Sequence, residues 1–231
     1  MFFKQTHPDK RLIVLDDSGD KQAIDGGGVF RMIYRKLRYP TLGYKRNCCE
    51  QLAIDIFPET DAVAVWDSDD LYLPHHLSAM NAALEVADWS LPSEVLYRQD
   101  CCGKYRRHMT GPGTFYHAGM GFRLDAFHKA GGYPDDLSGP EDQGLFRRLE
   151  ATGASICDPI ALTGLPPSYV YGTNDGLMHI SAYLKPGDTG ADAYAMLGQQ
   201  PCEAAELVIE PPPGVELDHP DILPGLFPRP F

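Results

Sequence analysis

The sequence predicts an α/β fold, a mostly parallel sheet flanked by helices and followed by a proline-rich C-terminal tail. Three observations predict it. Two short apolar runs, residues 12–15 (LIVL) and 62–66 (AVAVW), read as strands buried on both faces. The stretches between and after them carry apolar residues at helical spacing. Beyond Lys185 both signals fade, and eight of the 20 prolines fall in the last 31 residues. Both strands end in acid, Asp16 and Asp17 after the first and Asp67, Asp69 and Asp70 after the second. Ligands of open α/β sheets bind at such C-terminal strand ends, so the two acidic turns are expected to share one cleft.

The elements follow in order. Asp25 to Gly28 forms a flexible loop, and the basic, aromatic segment FRMIYRKLRY that ends near Arg38 is a strand or a short helix. Residues 44–57 form a helix on the spacing of Leu52, Ala53 and Ile56, with Lys45, Arg46 and Asn47 in its first turn. Cations there oppose the helix dipole, which points them at a ligand; a solvated helix start is the alternative. Pro74 opens a second helix whose stripe of Leu77, Met80, Ala83 and Leu84 is core. Residues 94–99 read as a strand, 101–108 as a basic turn, 110–114 as a loop, 115–123 as a glycine-rich strand or turn, and 124–129 as a short helix ended by Gly131 and Gly132. Glu141 and Asp142 open another helix that Gly153 closes; acids in a first helical turn complement the dipole whether or not they have a further role. Residues 155–162 read as a strand and 169–181 as a polar, aromatic loop carrying His179. The expected division is one domain over 1–184 and a proline-rich extension over 185–231.

Composition narrows the function. The three carboxylates within residues 67–70 repel one another unless a cation holds them. Hard oxygen donors of this kind suit Mg²⁺ or Mn²⁺, and a solvated acidic turn is the alternative. The net charge of −12 speaks against a broad nucleic-acid-binding face without excluding a local basic groove. No apolar run approaches the roughly 18 residues of a membrane span, and the N-terminus lacks a secretory pattern, so a cytoplasmic protein is expected. The six cysteines, at 48, 49, 101, 102, 157 and 202, match neither a disulfide framework nor a zinc site, and reduced thiols are expected.

These landmarks together resemble family 2 glycosyltransferases. LIVLDDSGD resembles the family's strand ending in V-D-D-x-S, Lys45-Arg46-Asn47 its R-N helix start, and AVWDSDDLYLP its D-x-D strand. Gly131-Gly132-Tyr133 followed by Glu141-Asp142 resembles its G-G-Y/F and E-D pair, in family order, over roughly residues 1–182. The resemblance implies a GT-A fold with a Rossmann-like sheet. It further implies a metal-dependent inverting transfer of sugar from a nucleotide sugar, with UDP as the expected nucleotide. Within it, Asp69 is the metal ligand, Asp67 contacts the ribose or shares the metal shell, and His179 completes that shell. Asp17, with Asp16 beside it, would bond the uracil edge, and Arg46 the uracil or the diphosphate. Asp142 would be the catalytic base, with Glu141 orienting it or the acceptor. The acceptor hydroxyl would belong to a saccharide or glycan, or, as in small phage relatives, to a hydroxylated DNA base, with Arg31, Arg35, Arg38, Lys104, Arg106 and Arg107 meeting phosphates and Tyr105 stacking.

The chain departs from the family pattern at its start. Phe2-Phe3-Lys4-Gln5-Thr6-His7-Pro8 aligns with the end of the family's first helix, so the usual first strand is expected to be missing, and residues 206–213 (ELVIEPPP) are a candidate to fill the gap. A non-catalytic sugar-nucleotide- or partner-binding module is the alternative function. A nucleotidyltransferase is disfavoured by the lack of a glycine-rich, basic phosphate loop.

Overall fold

The computed structural model describes residues 2–17, 24–25, 30–34, 38–67, 70–99, 104–110, 116–137 and 140–171. It is a mixed α/β structure in which sheets of parallel and antiparallel strands are flanked by helices. The chain opens with a 3₁₀ turn at Phe2–Lys4 and then strand β1 at Leu12–Asp16, β2 at Ile24–Asp25 and β3 at Phe30–Tyr34. These form one sheet in the order β1-β3-β2, with β1 parallel to β3.

Helix α1 at Leu42–Ile56 starts where Thr41 accepts the Tyr44 N–H at 3.1 Å, satisfying one of the amide groups a helix start leaves open. Strand β4 covers Ala62–Ala64, β5 Leu71–Tyr72, helix α2 His76–Leu84, β6 Trp89–Ser90, β7 Glu94–Gln99 and β8 Lys104–Met109. Then come β9 at Gly121–Arg123, helix α3 at Leu124–Ala130, helix α4 at Glu141–Ala151, β10 at Ile156–Cys157, helix α5 at Pro159–Thr163 and β11 at Tyr169–Tyr171. A second sheet runs β10-β6-β9-β4 and a third β5-β11-β7-β8. The expectation of a mostly parallel sheet gives way to pairing in both senses: β4 and β6 each pair antiparallel with β9, and β7 pairs antiparallel with β8.

The core lies between the second and third sheets and helices α3 and α4. Val65, Trp89, Val95, Phe122, Phe127, Tyr133, Leu145 and Tyr169 belong to one buried cluster, in which Phe122 and Leu145 are wholly buried. Each such side chain stabilises the fold by about 1.5–3 kcal/mol. In α2, Met80, Ala83 and Leu84 are buried, as the apolar stripe requires. Gly131 ends α3 in the left-handed region at φ 79°, which a side chain disfavours.

Other expectations are corrected. Helix α2 begins at His76 and not at Pro74, which lies in the preceding turn. Residues 104–109 continue the ladder from β7 instead of turning, because the full-length register from Glu94 opposite Met109 to Gln99 opposite Lys104 holds charged residues in a strand. Only Ile156–Cys157 of the 155–162 run is extended. Asp158 then accepts the Ile160 N–H at 3.0 Å with Pro159 at the first helical position, and these two local signals start α5. The 169–181 segment opens as β11, paired with β5 and β7. The two apolar runs expected to be buried on both faces are only half-buried over Leu12–Val14 and Ala62–Ala64. Residues 172–231, with His179 and the proline-rich extension, lie outside the described residues.

Candidate functional site

Helix α1 carries the site. The helix begins at Leu42, two residues before the expected Tyr44, so Lys45 and Arg46 are its fourth and fifth residues, and each is matched by carboxylates from other elements. Lys45 Nζ donates to Asp17 Oδ1 at 2.6 Å, while the Tyr39 N–H donates to Asp17 Oδ2 at 3.1 Å. Burial opposes the Asp17 charge, yet the Lys45 ammonium and these hydrogen bonds outweigh it and hold its pKa below the usual value.

Arg46, one residue on, reaches across the molecule. Its Nε donates to Glu141 Oε1 at 3.2 Å, and its Nη1 lies 3.6 Å from Asp67 Oδ1. Burial would weaken the Arg46 charge, but Asp67, Tyr133 and Glu141 together raise its pKa. Glu141 is itself raised, because burial outweighs the pull of Arg46. One guanidinium thus joins the end of β4 to the start of α4. Asn47 fixes the height of this junction. Its Nδ2 donates to the Tyr133 carbonyl at 2.9 Å, its Oδ1 accepts the Tyr133 N–H at 2.9 Å, and Nδ2 also reaches Asp135 Oδ1 at 2.6 Å. Close approach makes the same demand at Gly43, where a Cβ would collide with the Pro134 carbonyl oxygen.

Beneath the guanidinium lies the Tyr133 ring, 5.8 Å from its centroid, and the Tyr133 hydroxyl shares a hydrogen bond with His117 Nε2 at 2.8 Å. Burial drives the His117 pKa well below and the Tyr133 pKa well above their ordinary values, so both are neutral around pH 7 and leave Arg46 as the charge of this layer. Asp142 follows Glu141 in the first turn of α4, half-buried, and its Oδ1 accepts the Gln143 N–H at 2.6 Å.

The acidic turn relieves its crowding by a route the sequence does not reveal. Asp70 points inward, 2% exposed, and its Oδ2 accepts the Tyr169 hydroxyl at 2.6 Å. It is a structural acid. Asp67 keeps its side chain 37% exposed, and its backbone N–H donates to the Tyr72 hydroxyl at 2.7 Å, where Tyr72 stacks on Trp66 at 3.8 Å. Asp69 and His179, the other expected metal ligands, lie outside the described residues, and among the described residues no group of three or more His, Cys, Asp and Glu side chains is placed to hold a metal ion. Of the expected metal ligands Asp67 is the one described, its side chain 37% exposed and 3.6 Å from Arg46, and a carboxylate oxygen is the hard donor type that Mg²⁺ or Mn²⁺ prefers.

The structure therefore gathers Arg46, Asp67, Glu141 and, next in the chain, Asp142, and sets the Lys45–Asp17 pair beside them through α1. Asp16 ends β1, half-buried. Sequence reasoning missed the supporting layer of Tyr133, His117 and Glu50. Tyr133 is part of the G-G-Y signature, and Glu50 lies one helical turn beyond Arg46, so spacing could have flagged both. Of the basic residues considered for DNA, only the Arg38 side chain is described, and it is exposed.

Glu50 is buried, which pushes its pKa up to about 8, with Arg46 pulling the other way. Its protonated form favours the fold. That contribution is complete below its ordinary value of 4.5 and is lost as pH rises to about 8. Glu50→Gln should therefore leave thermal stability nearly unchanged at pH 4.5 and raise the melting temperature by at least about 4 °C at pH 8.5. Melting curves at the two pH values check this. Burial and Glu50 push the neighbouring Cys49 thiol up to about 12, so it is unreactive.

Among the described residues no helix is long and apolar enough to cross a membrane. No protein-family model matches the chain. No curated protein matches it.

Proposed function

We propose that the chain is a GT-A-type, metal-dependent inverting glycosyltransferase that moves a sugar from a nucleotide sugar, with UDP as the nucleotide, onto an acceptor hydroxyl. The observation that carries the reading is the Arg46 junction, which draws the end of an acidic strand and the acidic start of a helix to one guanidinium. Transfer needs these parts together: a cationic end for the diphosphate, an oxygen ligand for a metal, and a carboxylate near the attacking hydroxyl.

Asp67 and Asp69 would hold the Mn²⁺ or Mg²⁺, which supplies Lewis-acid neutralisation of the leaving diphosphate. Arg46 adds positive charge on the same side. Asp17, kept ionised by Lys45, accepts a hydrogen bond from the N–H edge of the base. Asp142 takes the proton of the acceptor hydroxyl as that oxygen attacks the anomeric carbon, and Glu141, held by Arg46, orients the acceptor. A single in-line displacement then inverts the anomeric configuration.

The test is UDP release from a panel of UDP-sugars with Mn²⁺ and with EDTA, followed by nuclear magnetic resonance of the product linkage. Metal-dependent release with inversion is expected; retention of configuration would overturn the mechanism. One observation favours a second reading, a binding module without transfer: among the described residues β1 and β4 belong to separate sheets, which departs from the single Rossmann-like sheet of the transferase reading. Nucleotide binding without turnover on any sugar would select that reading.

A further inference from the structure

The segment from Phe2 to Thr6 makes long-range bonds that neither the core nor the Arg46 junction accounts for. Gln5 is 4% exposed and uses both ends of its side-chain amide. Its Nε2 donates to the Tyr72 carbonyl at 3.3 Å and to the Leu73 carbonyl at 3.0 Å, and its Oε1 accepts the Leu77 N–H at 3.0 Å. Thr6 continues the seam. Its N–H donates to the Pro74 carbonyl at 2.8 Å, and its hydroxyl shares a hydrogen bond with the Ser78 hydroxyl at 2.8 Å. Lys10 Nζ donates to the Gln5 and His7 carbonyls at 2.9 and 2.8 Å, which holds the segment in this conformation. Phe2 is buried and meets Trp66 edge-on, with ring centroids 6.2 Å apart.

The element that receives these bonds is short. Strand β5 is only Leu71–Tyr72, and its ladder with β11 has two register pairs. A strand below the usual length depends on bonds outside its ladder. Tyr72 nonetheless fixes the end of β4: its hydroxyl accepts the Asp67 N–H at 2.7 Å, and its ring stacks on Trp66 at 3.8 Å. Printed contacts therefore run without a break from Gln5 to the Tyr72 backbone, from the Tyr72 hydroxyl to the Asp67 amide, and from the Asp67 carboxylate to Arg46.

We propose that Gln5 is a positioning residue for Asp67 and acts through Tyr72. The Gln5 amide sets the Tyr72 backbone, and the Tyr72 hydroxyl then fixes where the Asp67 backbone leaves β4, and with it the carboxylate that faces Arg46. A primary amide suits this task. It donates to two carbonyls and accepts from one N–H while bringing no charge into a buried place. Phe2 supports the same point from its contact with Trp66, the residue before Asp67. That Asp67 so placed serves a metal and a nucleotide rests on the transferase reading; the coupling between Gln5 and Asp67 does not.

Amide hydrogen exchange of the 231-residue chain, followed residue by residue by nuclear magnetic resonance, tests it. The Asp67 amide should exchange at least about tenfold slower than an unstructured amide. Gln5→Ala should speed the Leu77 and Asp67 amides together by at least about tenfold, while Phe122 in β9 and Leu149 in α4 keep their protection. Tyr72→Phe keeps the ring and removes the hydroxyl, so it should speed Asp67 and leave Leu77 as it was. Both variants should weaken UDP binding in Mn²⁺ by about two- to tenfold, the worth of one hydrogen bond. Free exchange at Asp67 in the unaltered chain would overturn the proposal, and that result requires no variant to fold. Two further outcomes would also overturn it: Gln5→Ala that speeds Leu77 but leaves Asp67 protected, and Gln5→Ala that speeds Phe122 as much as Asp67, which makes Gln5 a general fold residue. If the unaltered chain binds no UDP, the transferase reading fails, and the exchange comparison still decides the coupling.

Discussion

Asp142→Asn should lower metal-dependent UDP release by about 10²–10⁴-fold, the span that a positioned general base contributes, while UDP-sugar affinity stays within about twofold. The physical reason is that an amide of the same shape cannot take the acceptor proton. Asp142 sits in the first turn of α4 beside Glu141 and makes its hydrogen bond to the next backbone amide, so the substitution leaves the Arg46 junction in place. Turnover within threefold of the unaltered protein would move the base elsewhere. Parallel measurement of release rate and donor affinity separates a lost base from a damaged pocket.

The second large effect is expected at Arg46. Removing one partner of a buried pair costs about 3–5 kcal/mol because a carboxylate is left uncompensated. Here the Arg46 side chain is 21% exposed and that of Asp67 37% exposed, so solvent screening reduces the loss from Arg46→Gln to about 2–3 kcal/mol at pH 7. The pH dependence has a definite sign. Glu141 already has a raised pKa, so its protonated form favours the fold below its ordinary value of 4.5, and that contribution fades as pH rises through the folded value. Without Arg46 the folded value rises further. The variant should therefore be strongly destabilised at pH 7 and approach the unaltered protein near pH 4. Arg46→Lys keeps a charge and should recover part of the stability, but less of the donor affinity, because an ammonium cannot serve Glu141 and Asp67 with a planar fork. Urea unfolding at the two pH values, with UDP-sugar affinity of the three proteins, checks each part.

Much of this arrangement was legible in the sequence for physical reasons. Helices α1 and α4 announce themselves through apolar spacing, and the strand β1 and the start of β4 through short aliphatic runs ending in acid. A cation near a helix start was expected to face a ligand; that Arg46 faces Asp67 and Glu141 is set by the fold. Other features were hidden. Nothing distinguishes Asp70 from Asp67 as a residue type, and only the fold brings Tyr169 to the first and Arg46 to the second. Strand β8 is written in charged residues, KYRRHM, and owes its extension to the ladder with β7. Helix α5 comes from the Asp158 cap and Pro159, a local signal that outweighs the aliphatic run around it. The His117–Tyr133 layer depends on the Asn47 side-chain amide bonding the Tyr133 backbone, a contact no periodicity encodes.

The most direct measurement is calorimetric titration of UDP, and then GDP, into the 231-residue chain with Mn²⁺ and again with EDTA, repeated on Asp69→Ala. The metal-nucleotide reading predicts UDP binding with Mn²⁺ that disappears with EDTA and in Asp69→Ala, while the thermal unfolding of that variant is unchanged. Binding of neither nucleotide in the presence of Mn²⁺, or UDP binding that survives both EDTA and Asp69→Ala, would contradict it.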